Sequence, residues 1–182
     1  MVVVWFKRDL RLEDHEPLTR AFASGEKVLL LYSFESFWTQ DPHYSDLHID
    51  FIQEGLEEIQ LKLKEYDTKI LILSDYIPEI LKKIHSKEPI KALYSHMEAG
   101  MDITYTRDKA VKKWCTQNSI HWHEFAQNGL WRALKNRQKW RDHWISQMKA
   151  PIHIPSFLPT TYYTASEIDG LSAALNLIPL EL

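Results

Sequence analysis

Short apolar runs recur along the chain, and stretches with helical periodicity separate them. The runs are rich in β-branched and aromatic residues, which is typical of strands buried on both faces of a sheet. They predict strands at Val2–Phe6, Val28–Phe34, Ile70–Leu73, Ala92–Tyr94 and His121–Phe125. Because helical stretches alternate with these strands, we expect an α/β fold. It should be a five-stranded parallel, doubly wound Rossmann-like sheet with helices on both faces.

The helical stretches carry apolar residues at steps of three and four. After Ser45 such steps connect Ile49, Ile52, Leu56, Ile59, Leu63 and Tyr66, which predicts a long helix. We expect Asp14 to cap the first helix and Ser74 with Asp75 to cap the third. The fourth helix should begin at Asp102 or Thr104.

The composition changes after Phe125, and this divides the chain into three parts. Residues 1–127 form the α/β domain, residues 128–149 a mostly helical segment, and residues 150–182 a linker or extended wrap with four prolines. The middle part carries basic and Trp side chains, namely Arg132, Lys135, Arg137, Lys139, Arg141, Trp131, Trp140 and Trp144. Such a segment binds nucleic acid or packs on a neighbouring domain with its charges solvated, and we favour the second interpretation.

Composition limits the functional classes. The 182 residues suffice for one domain with a substantial core. A net charge of −3 argues against attraction of the whole surface to nucleic acid. Cys115 is the single cysteine, which excludes an internal disulfide and a cysteine zinc cluster and fits a reducing, cytoplasmic setting. The opening run Val2–Phe6 is too short for a leader or a membrane span.

Ligands of open parallel sheets bind outside the carboxyl ends of the strands, near the point where strand order reverses. This rule selects the residues that follow the first four strands: Lys7, Arg8, Asp9, Arg11, Glu35, Ser36, Phe37, Trp38, Ser74, Asp75, Ser95, His96, Met97, Glu98 and Gly100. The turn after the first strand contains no glycine, which excludes a glycine-rich phosphate cradle there. Arg8 and Arg11 suit an anionic or planar ligand. Alternatively, both arginines pair with Asp9 and with acidic neighbours to brace the turn.

The sequence gives little support for a metal site or for nucleophilic catalysis. His121 and His123 share one face of a predicted strand, which is compatible with metal binding, but no third ligand is identifiable. We therefore expect packed or surface histidines and no metal site. The serines, histidines and single cysteine form no nucleophile–base pattern, so no catalytic residue is assigned.

Three longer motifs carry a family resemblance. The first is Val4–Asp14, which reads VWFKRDLRLED directly after the first strand. The second joins Ser95–Gly100 to Tyr105–Asp108 and Val111, and the third joins Gln127–Arg132 to Leu134–Arg137 and Trp140. These motifs resemble those of the N-terminal α/β domain of the photolyase/cryptochrome family, in particular a bacterial photolyase-related subgroup, and the resemblance covers residues 1 to about 150.

The resemblance implies an antenna-side domain that holds a light-harvesting chromophore, a reduced folate or a deazaflavin. In the family a larger helical domain follows, which binds FAD and damaged DNA. There the excited reduced flavin passes an electron to a pyrimidine dimer and splits it. Alternatives are a cryptochrome-type blue-light sensor and a stand-alone nucleotide- or flavin-binding module. Because the chain stops within the proline-bearing segment, we expect a natural or engineered fragment without the FAD domain, inactive by itself.

The resemblance also implies site residues. We expect the antenna site and the inter-domain cleft to be lined by Arg8, Arg11, Glu35, His96, Met97 and Glu98. The signature residues with structural roles are Trp5, Asp9, Asp14, Arg107 and Asp108. Met97 replaces an expected acidic residue and Ala99 an expected polar one, which removes polar contacts to a chromophore. We expect the chain to purify colourless and to self-associate through residues 128–149.

Overall fold

One parallel sheet organises the chain. The computed structural model describes residues 1–39, 41–129, 132, 134, 136–158 and 160–181, apart from the side chains of Trp38 and Thr39. The strands are Val2–Trp5 (β1), Val28–Ser33 (β2), Leu71–Leu73 (β3), Ala92–His96 (β4) and His121–Phe125 (β5). They lie in the order β3-β2-β1-β4-β5, and all neighbouring pairs are parallel. This confirms the predicted five-stranded α/β sheet.

Helices cover both faces of the sheet. They are Glu16–Phe22 (α1), Ser36–Thr39 (α2), Asp46–Leu63 (α3), Ile77–Lys87 (α4), Asp102–Gln117 (α5), Trp140–Met148 (α6) and Ala165–Ala174 (α7), and a 3₁₀ turn, Lys64–Tyr66, extends α3. Among the predicted helix starts, Asp102 is confirmed, whereas the prediction that Asp14 caps α1 is wrong. The backbone of Asp14 is left-handed, with φ 47°, and the imidazole of His15 accepts the amide N–H of Leu18 instead.

β1 is the central strand, and its residues alternate between two apolar layers. Val3 and Trp5 pack with residues of α4 and α5, while Val2 and Val4 pack with residues of α1 and α3. All four residues are 2% exposed or less. Each buried side chain of this size contributes roughly 1.5–3 kcal/mol, so the two layers hold β1 and the turn after it in place.

The carboxy-terminal segment returns to the sheet rather than running away from it. Tyr162 pairs with Val28 at the start of β2, and Thr164 caps α7 in a reciprocal arrangement with Glu167. Ile168 of α7 is 1% exposed and packs in the same apolar layer as Trp5. The described residues of 150–163 contain no helix and contact the domain through Tyr162, and residues 165–174 add a helix that the sequence analysis did not predict.

The segment between β5 and the wrap contains one helix among its described residues. Within the described residues of 128–149, this helix is α6, and the expectation of a mostly helical segment stays a prediction. None of the residues of α6 is buried. Its Trp144 lies so close to Gly129 that a β-carbon on that residue would fall 2.1 Å from the indole Cδ1. Trp131, Lys135 and Pro159 lie outside the described residues.

A search of the described residues for membrane-spanning helices finds none of sufficient length and apolar character.

Candidate functional site

A cavity of about 370 Å³ opens at the carboxyl ends of β1 and β2. This is the point where the strand order reverses, since β1 is flanked by β2 on one side and β4 on the other. Its walls combine aromatic and charged side chains from the turn after β1, from β2, from the start of α3 and from α5. They are Trp5, Phe6, Lys7, Arg8, Leu10, Arg11, Tyr32, Ser33, Tyr44, His48, Phe51, Ile52, Glu98, Thr104 and Arg107. We call this space the first cavity.

Arg107 organises the charged floor of the first cavity. Its guanidinium reaches Glu35 at 2.8 Å, Glu98 at 2.5 Å and Asp108 at 2.9 Å, and it lies 4.7 Å from the ring centre of Trp5. Burial lowers the pKa of Arg107, but the carboxylates of Glu98, Asp108 and Glu35 outweigh this and raise it above its ordinary value. The cation is therefore fixed, and its charge is compensated inside the protein.

Glu35 and Lys7 complete this buried ionic cluster. Glu35 accepts the amide N–H of Ile77 at 3.0 Å, and burial raises the pKa of its carboxyl group. Lys7 forms an ion pair with Asp108 at 3.0 Å, and its ammonium lies 4.2 Å from the ring centre of Trp5. Burial lowers the pKa of Lys7 although Asp108 favours the charged form. The ring of Trp5 therefore lies against two cations, Lys7 and Arg107, and the cation–π interaction stabilises their charged forms.

Asp9 of the charged turn binds two histidines instead of an arginine. Its Oδ2 lies 2.6 Å from Nδ1 of His96 and 2.9 Å from Nε2 of His15, while its Oδ1 accepts the amide N–H of Lys7 at 2.7 Å. Burial raises the pKa of Asp9, but the hydrogen bonds from His15 and His96 outweigh it and hold the pKa far below its ordinary value. We call these three buried residues the Asp9 triad.

The Asp9 triad also brings three metal-ligating groups together, since their ligand atoms lie within 4.8 Å of one another. However, Nδ1 of His15 accepts the amide N–H of Leu18, so the neutral ring carries its proton on Nε2, facing Asp9. Burial also lowers the pKa of His15, which favours this neutral form. Nδ1 of His96 is hydrogen-bonded to Asp9, and Nε2 of His15 lies 2.9 Å from the same carboxylate oxygen as a close contact without hydrogen-bond geometry. These contacts connect the turn, α1 and β4, and the set fits a structural brace better than a metal.

A second cavity of about 400 Å³ adjoins the first. It is lined by Arg8, Arg11, Met97, Glu98, Ala99, Ala126, Gln127, Asn128 and Arg132. The ion pair between Arg8 and Glu98, 3.0 Å long, borders both cavities, and Arg8 also donates to the Tyr44 hydroxyl at 2.7 Å. Arg11 borders both as well, but it donates only to the backbone carbonyl of Asp14 among the described residues.

The residues expected from the sequence separate into two groups. Arg8, Arg11 and Glu98 line both cavities, and Met97 lines the second. Glu35 and His96 line neither, because Glu35 is bound under the first cavity by Arg107 and His96 belongs to the Asp9 triad. The signature residues Trp5, Asp9, Asp14, Arg107 and Asp108 all contact the turn or the ionic cluster beside it.

Sequence reasoning missed the wall that α3 contributes. His48 lies three residues before Phe51 and four before Ile52, so these side chains share one side of the first turns of α3. Tyr44 joins them from the loop just before the helix begins at Asp46. Leu10 of the signature packs 3.4 Å from a β-carbon built on Gly55 of α3, which holds the turn against this helix. Of these four wall residues, the apolar pattern that predicts the helix includes only Ile52.

His121 and His123 form an aromatic ladder on the edge strand. Their ring centres are 4.2 Å apart, and His123 stacks on Tyr94 at 4.6 Å. Burial, and next the neighbouring His121, lower the pKa of His123. Within the described residues, no group of three metal-ligating side chains includes either histidine.

The fold and the site define a class of protein: a doubly wound α/β domain with an aromatic, arginine-bearing cavity at the switch point and no glycine-rich phosphate cradle. The DNA photolyase family model matches residues 2–142. The chain therefore belongs to the DNA photolyase family, and it forms the N-terminal domain of a photolyase or cryptochrome.

Individual relatives agree with this assignment. Cryptochrome DASH of Synechocystis sp. is 28% identical over 117 residues, which cover 62% of this chain and 24% of that protein. Deoxyribodipyrimidine photo-lyase of Vibrio cholerae is 36% identical over 63 residues, 35% of this chain and 13% of that protein. The chain thus spans about a quarter or less of these curated relatives.

A solved structure supports the fold over the full chain. The archaeal photolyase of Sulfolobus tokodaii, determined with two FAD molecules, superimposes with a TM-score of 0.68 at 18% identity. The match covers 100% of this chain and 43% of that one.

Proposed function

We propose that the first cavity binds a planar light-absorbing ligand, which acts as an accessory chromophore for a flavin held elsewhere in a longer protein. The observation that carries this proposal is the position and composition of the cavity. It lies at the switch point, Trp5, Tyr32, Tyr44 and Phe51 give it aromatic walls, and all its lining residues belong to this domain. Its volume of about 370 Å³ is in the range of small-molecule sites.

The charges around the cavity indicate where an anionic tail would bind. Lys7 and Arg107 are neutralised by buried carboxylates, and Arg8 is paired with Glu98. Arg11 has no carboxylate partner among the described residues, so it is the cation that a phosphate or carboxylate tail would meet. Among the described residues, the second cavity is lined mainly by polar side chains and by no aromatic ring, which favours the first cavity for the planar ring.

The ligand classes to consider are a reduced folate, a deazaflavin and a flavin. The first two follow from the family. A flavin joins them because the Sulfolobus tokodaii photolyase is described with two FAD molecules and an implied novel light-harvesting cofactor. In the longer protein, the remaining chain would bind the functional FAD and damaged DNA, and the flavin would split pyrimidine dimers.

A blue-light sensor is the second candidate, because relatives carry both names, cryptochrome DASH and deoxyribodipyrimidine photo-lyase. The two candidates share the accessory site described above. They differ in what the flavin-binding part does after excitation, and the residues that decide this belong to that part. For either candidate the present chain contributes ligand binding and excitation transfer rather than bond breaking.

The test is a titration of the purified chain with flavin mononucleotide, riboflavin, a deazaflavin and methenyltetrahydrofolate, in which binding is measured by fluorescence anisotropy. We expect at least one to saturate the chain with a dissociation constant of roughly 1–100 μM, which is a free energy of about −5.5 to −8 kcal/mol. Tyr44→Ala, which removes a wall of the first cavity, should weaken binding about tenfold. The control Arg20→Ala changes an exposed arginine of α1 and should leave binding unchanged.

Arg11→Ala separates ligand binding from bracing of the turn. If Arg11 contacts an anionic tail, the variant loses about tenfold in affinity for flavin mononucleotide and almost nothing for riboflavin, which lacks the phosphate. Equal losses for both ligands would mean that Arg11 only braces the turn. No saturation by any of the four compounds up to about 1 mM would refute the proposed site.

A further inference from the structure

Two helices of this chain expose apolar stripes to solvent. On α3, Leu47 is 79% exposed, Phe51 76% and Leu61 66%. At 3.6 residues per turn these three positions lie within about 80° of one another around the helix axis, and Glu54 and Glu58 fall between them. We call these five residues the α3 stripe. A folded domain rarely presents such a row of large apolar side chains unless something covers it.

The second stripe lies on α6. Trp140 is 42% exposed, Trp144 43% and Met148 48%, and they follow one another at steps of four residues. Successive steps of four keep the three side chains on the same side of the helix. We call these three residues the α6 stripe. Trp144 rests against Gly129 with one edge, so α6 is attached to the domain while its apolar stripe faces outward.

The two helical segments that carry these stripes have opposite net charge. Helix α3 contains five carboxylates (Asp46, Asp50, Glu54, Glu57 and Glu58) and one lysine (Lys62), which gives −5 + 1 = −4. Residues 136–149 contain four cations (Arg137, Lys139, Arg141 and Lys149) and one carboxylate (Asp142), which gives +4 − 1 = +3. Within the described residues, Glu58 with Lys62 is the one ion pair formed by any of these eleven groups.

We propose that the α3 stripe of one molecule binds the α6 stripe of a second copy of this chain. Leu47, Phe51 and Leu61 would cover Trp140, Trp144 and Met148, and the carboxylates of α3 would face the cations within and beside α6. The contact joins two different surfaces, so it is heterologous: each molecule keeps one stripe free and can bind a further copy. Phe51 belongs both to the α3 stripe and to the wall of the first cavity, whereas Leu47, Leu61 and the residues of α6 do not line that cavity. The variants that test this contact therefore change only residues outside the cavity.

The test measures mass against concentration for the full 182-residue chain by sedimentation. We expect the weight-average mass to rise above that of the monomer between about 5 and 500 μM, and to fall back when sodium chloride is raised from about 50 to 500 mM. Two variants abolish one stripe each: the double variant Leu47→Lys with Leu61→Lys, and the single variant Trp140→Glu. Each places a charge opposite like charges of the partner and should weaken association by more than tenfold.

Mixing the two variants gives the decisive result. The α3 variant retains its α6 stripe and the α6 variant retains its α3 stripe, so a mixture should form a 1:1 dimer that does not grow. Ile178→Lys changes an 83% exposed residue outside both stripes and should associate like the wild type. Unfolding temperatures measured for every variant show that each is folded. A monomeric wild type at all concentrations, or a mixture of variants that stays monomeric while the wild type associates, would overturn the proposal.

Discussion

Replacing Asp9 by Asn tests whether the Asp9 triad holds the charged turn in place. The substitution keeps the shape of the side chain, and the carbonyl oxygen of Asn can still accept the amide N–H of Lys7. It removes the negative charge that His15 and His96 contact at 2.9 and 2.6 Å. Because Nδ1 of His15 already accepts an N–H, its Nε2–H would then point at an amide NH₂ group.

The magnitude follows from these contacts. A hydrogen bond to a charged group is worth roughly 1.5–3 kcal/mol, and a buried donor left without an acceptor costs about 1–3 kcal/mol. Asp9 and His15 are 1% and 0% exposed, so water cannot replace the lost acceptor. We expect Asp9→Asn to lower the free energy of unfolding by about 3 kcal/mol, a large part of the stability of an ordinary domain.

The assay is denaturant unfolding followed by Trp fluorescence, with Asp14→Asn as the matched control. Asp14 belongs to the same motif, but it is exposed and accepts one backbone N–H, from His153 at 3.1 Å. The control should therefore change the free energy of unfolding by less than about 1 kcal/mol. A loss for Asp9→Asn no larger than that of the control would refute the role assigned to the triad.

Three further predictions concern the same structure. Burial lowers the pKa of His15, so between that pKa and its unfolded value of 6.5 the unfolded chain binds more protons. The free energy of unfolding should hence fall as the pH drops below about 6.5, by at most about 1.4 kcal/mol per pH unit, and His15→Gln should flatten this slope in urea titrations. Gly129→Ala should displace Trp144, whose Cδ1 would lie 2.1 Å from the new β-carbon. Its Trp fluorescence should shift to the red, while the unfolding temperature changes little because none of the residues of α6 is buried. Finally, burial raises the pKa of Cys115 to about 12, so the thiol should react with a disulfide reagent only after unfolding; rapid reaction of the native chain would contradict its burial.

The sheet could be predicted because each of its strands is encoded by a local sequence pattern. Runs such as Val2–Trp5 are apolar at every position, and this pattern needs no knowledge of distant residues. Helix α7 was not predictable in the same way. It contains Gly170 and Ser172, and it buries only Ile168, Leu171 and Ser172, so its apolar periodicity is weak. Its position depends on Tyr162 reaching β2, which is a long-range contact.

The site was predictable in its location but not in its partners. The strand-end rule selected Arg8, Arg11 and Glu98, which do line the cavities. It could not show that Asp9 pairs with His15 and His96, because His96 is 87 residues away in sequence and an imidazole carries no local signal of its partner. The arginine that binds the carboxylates of the floor, Arg107, is likewise 72 residues from Glu35. Such ion pairs and hydrogen bonds between residues distant in sequence become visible only in the folded sheet, where the strand ends lie side by side.

A crystal structure of the chain soaked with the compound that binds most tightly in the titration tests the central claim most directly. The account predicts the planar ring in the first cavity, between Tyr44 at the start of α3 and Arg107 of α5, with any anionic tail directed to Arg11. Hydrogen exchange in solution should show matching protection at residues 7–11 and 44–52. A ring bound in the second cavity, against Met97 and Arg132, or anywhere outside the first, would contradict the account.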